Sequence, residues 1–329
     1  MSSGDLPGTG IELEPDPLMQ ALASSEGPSV VAVGGGHGLA QAVLACQRYA
    51  GTLSALVTVA DDGGSSGRLV PDLDIPAPGD IRRCLIAMSP EPTTWRRLFD
   101  YRFDGSDVDG HSLGNLLLVA LHQIEGTFED GLRTAERLLG TVGSVIPAAA
   151  ERVKLEAVVD GSVVEGQVSI ALSRGNISKI RILPGTAAAT DRAREAIRAA
   201  DQIVLGPGSL YTSVIAPLLV SGVVEAINDS GARLVYVANV TTQDGETLGM
   251  DAADHLEALL SHTGVRPPST VIANRLPVTV EAPIERLVVD EEALATFGVD
   301  VVWADLLDTE APIIRHDPVR LGLALAGLV

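Results

Sequence analysis

Short apolar runs recur along the chain, and several end on glycine. Val30-Val31-Ala32-Val33 is followed by Gly34-Gly35-Gly36-His37-Gly38, and residues 202–205 by Gly206-Pro207-Gly208-Ser209. An apolar run of this length bounded by glycine predicts a strand buried on both faces. Leu39, Val43, Leu44 and Cys46 then return at helical spacing, which predicts a helix over residues 39–49. A second strand over 53–59 ends on Asp61-Asp62. Further strands are expected at 234–240, 270–274 and 301–306. This strand–glycine–helix order predicts an α/β fold, a doubly wound and mostly parallel Rossmann-like sheet with residues 30–33 at its centre.

The intervening stretches carry other patterns. Residues 63–79 hold Pro71, Pro76 and Pro78 and read as a long loop, with Asp80 as N-cap of a helix that buries Ile81, Cys84, Leu85 and Met88. Helices are expected at 92–101, 113–139 and 191–200. Apolar and polar residues alternate over 153–159 and 165–172, and 180–183 forms a third run. These predict antiparallel strands in a small β insertion, about 151–185. Residues 1–28 have no sustained period and read as a flexible tail with a short helical attempt at 18–23. Residues 29–329 then form one Rossmann-like domain.

Composition narrows the class. Hydrophobic residues make up 46% and aromatic residues 3%, so small aliphatics must fill a large core. Lys+Arg 23 against Asp+Glu 43 gives a net charge of −20, which argues against nucleic-acid or anionic-membrane partners. Cys46 and Cys84 fall in expected helices and read as reduced core residues. The first residues are polar and acidic, and no apolar run reaches bilayer length. A soluble, cytoplasmic protein without membrane insertion is expected.

The candidate chemistry sits where strands end. Four loops, at 34–38, 61–68, 206–212 and 241–247, should share the carboxyl edge of the sheet, where open α/β folds bind ligands. Glycines let backbone N–H groups approach a ligand closely. A helix start behind them favours phosphate. The dinucleotide fingerprint is met only in part, because Leu39 holds the place of its third glycine, and no G-K-[ST] follows. Asp61 and Asp62 suit a ribose hydroxyl or a hard cation. If the strand runs through them they face opposite ways, so only one should touch the ligand. Arg68, Arg82 and Arg315 are candidates to neutralise a diphosphate. The full candidate ligand set is Gly34, Gly35, Gly36, His37, Gly38, Asp61, Asp62, Ser65, Ser66, Arg68, Asp80, Arg82, His111, Asn115, Gly206, Gly208, Ser209, Tyr211, Thr212 and Arg315. Several have plainer roles open to them. The glycines could be bare turns, the aspartates caps, His111 a capping residue, and Arg315 a surface partner of Asp317. There is no His/Cys metal spacing and no G-x-S-x-G, and adjacent carboxylates cannot form a glycosidase dyad.

These motifs, in this order, resemble the YvcK family, also called gluconeogenesis factors. The resemblance rests on Gly-Gly-Gly-x-Gly-Leu, residues 58–68 (TVADDGGSSGR), 78–82 (PGDIR), 110–115 (GHSLGN), 206–212 (GPGSLYT) and 315–317 (RHD). It runs from Ser29 to the C-terminus. His37 stands where many members have threonine. The resemblance implies a fold shared with CofD, the phospholactate transferase of coenzyme F420 synthesis. It also implies binding of UDP-sugars such as UDP-N-acetylglucosamine, and a role in carbon metabolism, cell-wall synthesis and cell shape. No reaction is firmly attached to the family. The favoured expectation is therefore a non-catalytic nucleotide-sugar-binding regulator for which no cofactor is firmly implied, which admits Mg²⁺, allows a homo-oligomer, and acts on an unidentified cell-wall synthesis protein. The alternative is a CofD-like, Mg-dependent transferase moving a phosphorylated group from a nucleotide-linked donor.

Overall fold

The computed structural model describes residues 27–329 except 74, 91, 92 and 106. The expectations for residues 1–26, including the helical attempt at 18–23, and for Pro92 fall outside the described residues. The chain opens with β1 (Ser29–Gly34), α1 (Gly36–Cys46) and β2 (Thr52–Val57). Then come α2 (Gly64–Leu73), α3 (Pro78–Met88), α4 (Thr94–Asp100), α5 (Leu113–Glu125), α6 (Phe128–Leu139) and β3 (Ser144–Pro147). A smaller unit follows: β4 (Lys154–Val159), β5 (Ser162–Glu165), α7 (Gln167–Leu172) and β6 (Ile177–Leu183). After α8 (Asp191–Arg198) and β7 (Gln202–Leu205), a π-helical segment (Leu210–Ile215) runs into the turn Ala216–Leu218. The remainder is α9 (Val223–Asp229), β8 (Arg233–Val237), α10 (Ala252–Thr263), β9 (Thr270–Asn274), α11 (Glu291–Ala295), β10 (Asp300–Ala304) and α12 (Pro318–Ala326).

Seven strands form one parallel sheet in the order β10-β9-β8-β7-β1-β2-β3. Val30 lies opposite Leu53 of β2 on one side and Gln202 of β7 on the other. Val30, Val31, Ala32 and Val33 are all buried, because helices cover both faces of a central parallel strand. From β1 the chain passes to β2 on one side, and from β7 it passes to β8 on the other. The crevice between the carboxyl ends of β1 and β7 is therefore the topological switch point. β4, β5 and β6 form a separate antiparallel sheet.

The last helix closes over the first. Gln202 is fully buried, accepts from the Tyr49 hydroxyl and donates to the Leu325 carbonyl at 3.1 Å. Gly322 leaves no room for a Cβ between α12 and the Ala45 carbonyl of α1.

Four expectations need correction. The stretch 63–79 is not a loop, since α2 occupies most of it; its Gly, Ser and Pro content hid a helix that tertiary contacts hold. Asp80 is not the N-cap of α3. Ala77 takes that place, with Pro78 at the first turn, and Asp80 is buried within the helix. The expected strand over 165–172 is mostly α7, because Gly166 at φ 93° breaks the run and the Asp62 carboxylate accepts the Val168 N–H at 3.0 Å. The stretch 113–139 divides into α5 and α6 at Gly126, which takes φ 87°.

Candidate functional site

The switch-point crevice holds a cleft of about 260 Å³. Three residues of α1 line it: His37, Gly38 and Gln41. Pro207 and Gly208 follow β7, and Asn239, Val240, Thr241 and Gln243 follow β8. Ile313, Ile314, Arg315 and His316 close the remaining side. All nine residues from the segments after β1, β7 and β8 lie at the carboxyl edge of the sheet, where a parallel sheet gathers its strand ends.

Close backbone approach shapes the cleft floor. A Cβ on Gly38 would run into the Pro207 carbonyl, so this glycine lets α1 meet the β7 loop rather than a ligand. Gly36 takes φ 64°, a conformation only glycine adopts freely. The Asn239 side chain donates to the Gly208 carbonyl at 2.9 Å and accepts the Gly208 N–H at 3.2 Å. Gln243 donates to the Ser209 hydroxyl at 3.2 Å. The first-turn N–H groups of His37 and Gly38 have no carbonyl of their own helix to bond. His37 is exposed to the cleft, and partial burial, then Arg83 and Arg82, hold its pKa below the usual histidine range.

Two acids occupy helix starts, the positions where a phosphate binds in other folds. Asp80 accepts the Gly36 N–H at 2.7 Å and pairs with Arg83. Burial, and then the nearby Asp61, push its pKa up; Arg83 and the Gly36 N–H oppose this. Glu246 is buried and accepts the N–H groups of Tyr211 at 3.0 Å and Thr212 at 3.3 Å, and the Thr212 hydroxyl at 2.5 Å. Its pKa is raised by burial against those bonds.

The other expected residues gather elsewhere. β2 ends at Val57, so Asp61 and Asp62 lie on a loop and reach different elements. Asp61 accepts the Gly63 N–H at 3.0 Å and packs with Ser66 against Gly79, where no Cβ fits. Asp62 caps α7. Ser65 hydrogen-bonds His111 at 3.0 Å and the Ser112 N–H donates to it at 3.4 Å. Burial, then Arg68 and Arg102, lower the His111 pKa. Arg68 donates to the Asp109 carbonyl at 2.7 Å, and Arg82 to the Phe99 carbonyl at 3.1 Å. Among the described residues the Arg82 Nε and the Asn115 Oδ1 are buried without a partner. Gly34 ends β1, and Gly206 takes φ 73° beyond β7.

Arg315 stands on the cleft wall beside two exposed isoleucines. It is paired with Asp308 at 2.8 Å, not with Asp317, which caps α12. His316 is buried, donates to the Ala238 carbonyl at 3.2 Å, and burial lowers its pKa to about 4. Gln243 and Glu246 fall in the expected loop 241–247 without having been singled out, whereas Asn239, Arg83 and Asp308 were missed; for Asn239 the signal was its place directly after a strand and before that loop.

An open parallel sheet with a cleft at its switch point defines a Rossmann-like α/β protein. Residues 30–307 match the family described as 2-phospho-L-lactate transferase CofD. A gluconeogenesis factor of Halalkalibacterium halodurans is 40% identical over 306 residues, 90% of this chain and 95% of that protein. The Bacillus subtilis gluconeogenesis factor is 38% identical over 311 residues, 92% and 98%. A crystal structure of a UPF0052 family member from Bacillus halodurans matches with a TM-score of 0.87 and 38% identity, over 91% of this chain and 99% of that one. The chain belongs to the CofD family, in its YvcK branch of gluconeogenesis factors. Among the described residues no helix is long and apolar enough to cross a membrane.

Proposed function

We propose that this protein binds a nucleoside diphosphate sugar, UDP-N-acetylglucosamine or a close relative, in the switch-point cleft. It acts there as a cytoplasmic regulator that links carbon metabolism to cell-wall synthesis and cell shape. One observation carries the reading. The cleft sets the free first-turn N–H groups of α1 opposite Gly208 and Arg315, beside an apolar wall of Val240, Ile313 and Ile314. Helix-start donors and a guanidinium suit a diphosphate, and the apolar wall suits a base or sugar face. The relatives named gluconeogenesis factors support the carbon-metabolism part.

A second reading is a CofD-like transferase. The proximity of Asp61 to Asp80 favours it, since a carboxylate pair beside a helix start can hold Mg²⁺ and neutralise a diphosphate. Mass spectrometry of small molecules that co-purify with the native protein tests the first reading, together with calorimetry against UDP-N-acetylglucosamine. Saturable binding without turnover supports it. Absence of binding overturns it, and Mg-dependent consumption of the nucleotide sugar moves the assignment to the transferase.

A further inference from the structure

We propose that a second recess, on the other side of the β7 loop, binds a small organic amine or guanidinium compound. The recess has a volume of about 430 Å³ and lies between β6 and α10. It shares no lining residue with the switch-point cleft. Its volume is in the range of small-molecule sites.

Its chemistry is that of a cation receptor. Ile177, Met250 and Ala258 supply apolar surface. Asp254 and Glu257 stand three apart on α10 and therefore on one face of it. Among the described residues neither acid is in an ion pair. One Asp254 oxygen accepts the Asp251 N–H at 3.0 Å, which leaves the other for a ligand.

Tyr211 supplies the independent observation. It is 4% exposed and lines the recess, yet its hydroxyl has no hydrogen-bond partner among the described residues. Its backbone N–H is held by Glu246 and its ring meets His262 edge-on at 5.6 Å, so the ring is fixed in place. Burial, then Glu246 and Asp254, raise its pKa, which keeps the phenol neutral and sets the Asp254 charge near it. A neutral phenol oxygen can accept an N–H, and the neighbouring acids repel an anion. An alkyl stem would cover the apolar floor while its charged head meets the acids. A bare hard cation would gain nothing from that floor.

Titration calorimetry of the full-length, ligand-free chain with agmatine and with putrescine tests this assignment. Saturable binding is expected, weaker at high ionic strength. Glu257→Gln should weaken it about ten-fold and Tyr211→Phe roughly three-fold. Glu257 is exposed and bonds nothing within the fold, so its replacement probes recognition rather than folding. The assignment is overturned by the absence of saturable heat with both amines. Affinities unchanged in both variants, or equal displacement by Mg²⁺, would also overturn it.

Discussion

Asp80 of α3 accepts the N–H of Gly36 at 2.7 Å, across 44 positions of chain. An internal carboxylate thus takes the first donor of α1 and leaves a ligand the next two, at His37 and Gly38. Asp80→Ala strips Gly36 and Arg83 of their partner. It should cost about 2–3 kcal/mol, with Asp80→Asn costing about half, since the amide oxygen still accepts. Chemical denaturation of the two variants checks the order.

Glu246 and Asp80 both bind protons more tightly in the folded chain than in the unfolded one. Between the ordinary carboxylate value and the raised one, the folded state carries more protons, so their contribution to stability falls as pH rises through that window. Glu246→Gln should remove its part of this slope and cost about 1–3 kcal/mol through lost N–H bonds. Urea midpoints from about pH 4 to about pH 7, compared with the parent, give the answer.

Burial, then Arg83 and Arg82, hold the His37 pKa below the usual histidine range and so favour its neutral form in the free protein. A bound diphosphate reverses that balance, so affinity for UDP-N-acetylglucosamine should rise as pH falls from about 7.5 to about 5.5. His37→Thr should flatten the profile. Equal slopes in parent and variant would show that another group takes up the proton.

Arg315 is exposed enough that its pair with Asp308 adds little to stability. Its loss from a bound diphosphate would cost about 1.5–3 kcal/mol, or roughly ten- to a hundred-fold in affinity. Arg315→Ala should show that loss in calorimetry while the thermal midpoint of the free protein stays nearly constant. Unchanged affinity would place the diphosphate elsewhere.

Gly34 and Gly38 should respond differently to alanine. At Gly34 the nearest atom to an added Cβ is Leu39 Cβ at 3.6 Å, an ordinary contact. At Gly38 the added atom meets the Pro207 carbonyl. Gly38→Ala should cost about 1–3 kcal/mol through overpacking and deform the cleft, whereas Gly34→Ala should be close to neutral. Thermal melts of both variants separate the two cases.

The parallel sheet was legible because its strands are short apolar runs that stop on glycine, and that signal is local. α2 was not, since the residues of 63–67 favour turns, and its partners come from distant segments, Gly79 of α3 and His111 among them. Alternation misled over 165–172, where one glycine at positive φ and one distant carboxylate decide the conformation. The meeting of loops at the carboxyl edge followed from strand order. Which donors stay free there did not, because Asp80 and Glu246 arrive from 44 and 34 positions away to fill helix starts. A pattern of residue types gives the supply of hydrogen-bond donors, and only the fold gives their competitors.

The closure of α12 over α1 has a consequence for synthesis. The central strand β1 needs β7, some 170 residues later, before its second edge is paired, and α1 stays bare on one flank until residues 318–326 emerge. A nascent chain that has made only β1, β2 and β3 presents an open strand edge and an uncovered helix, the features that invite mispairing. Productive folding therefore waits for residues 318–326 to leave the ribosome. A chain cut short before Pro318 should be a client of chaperones rather than a smaller version of the same protein.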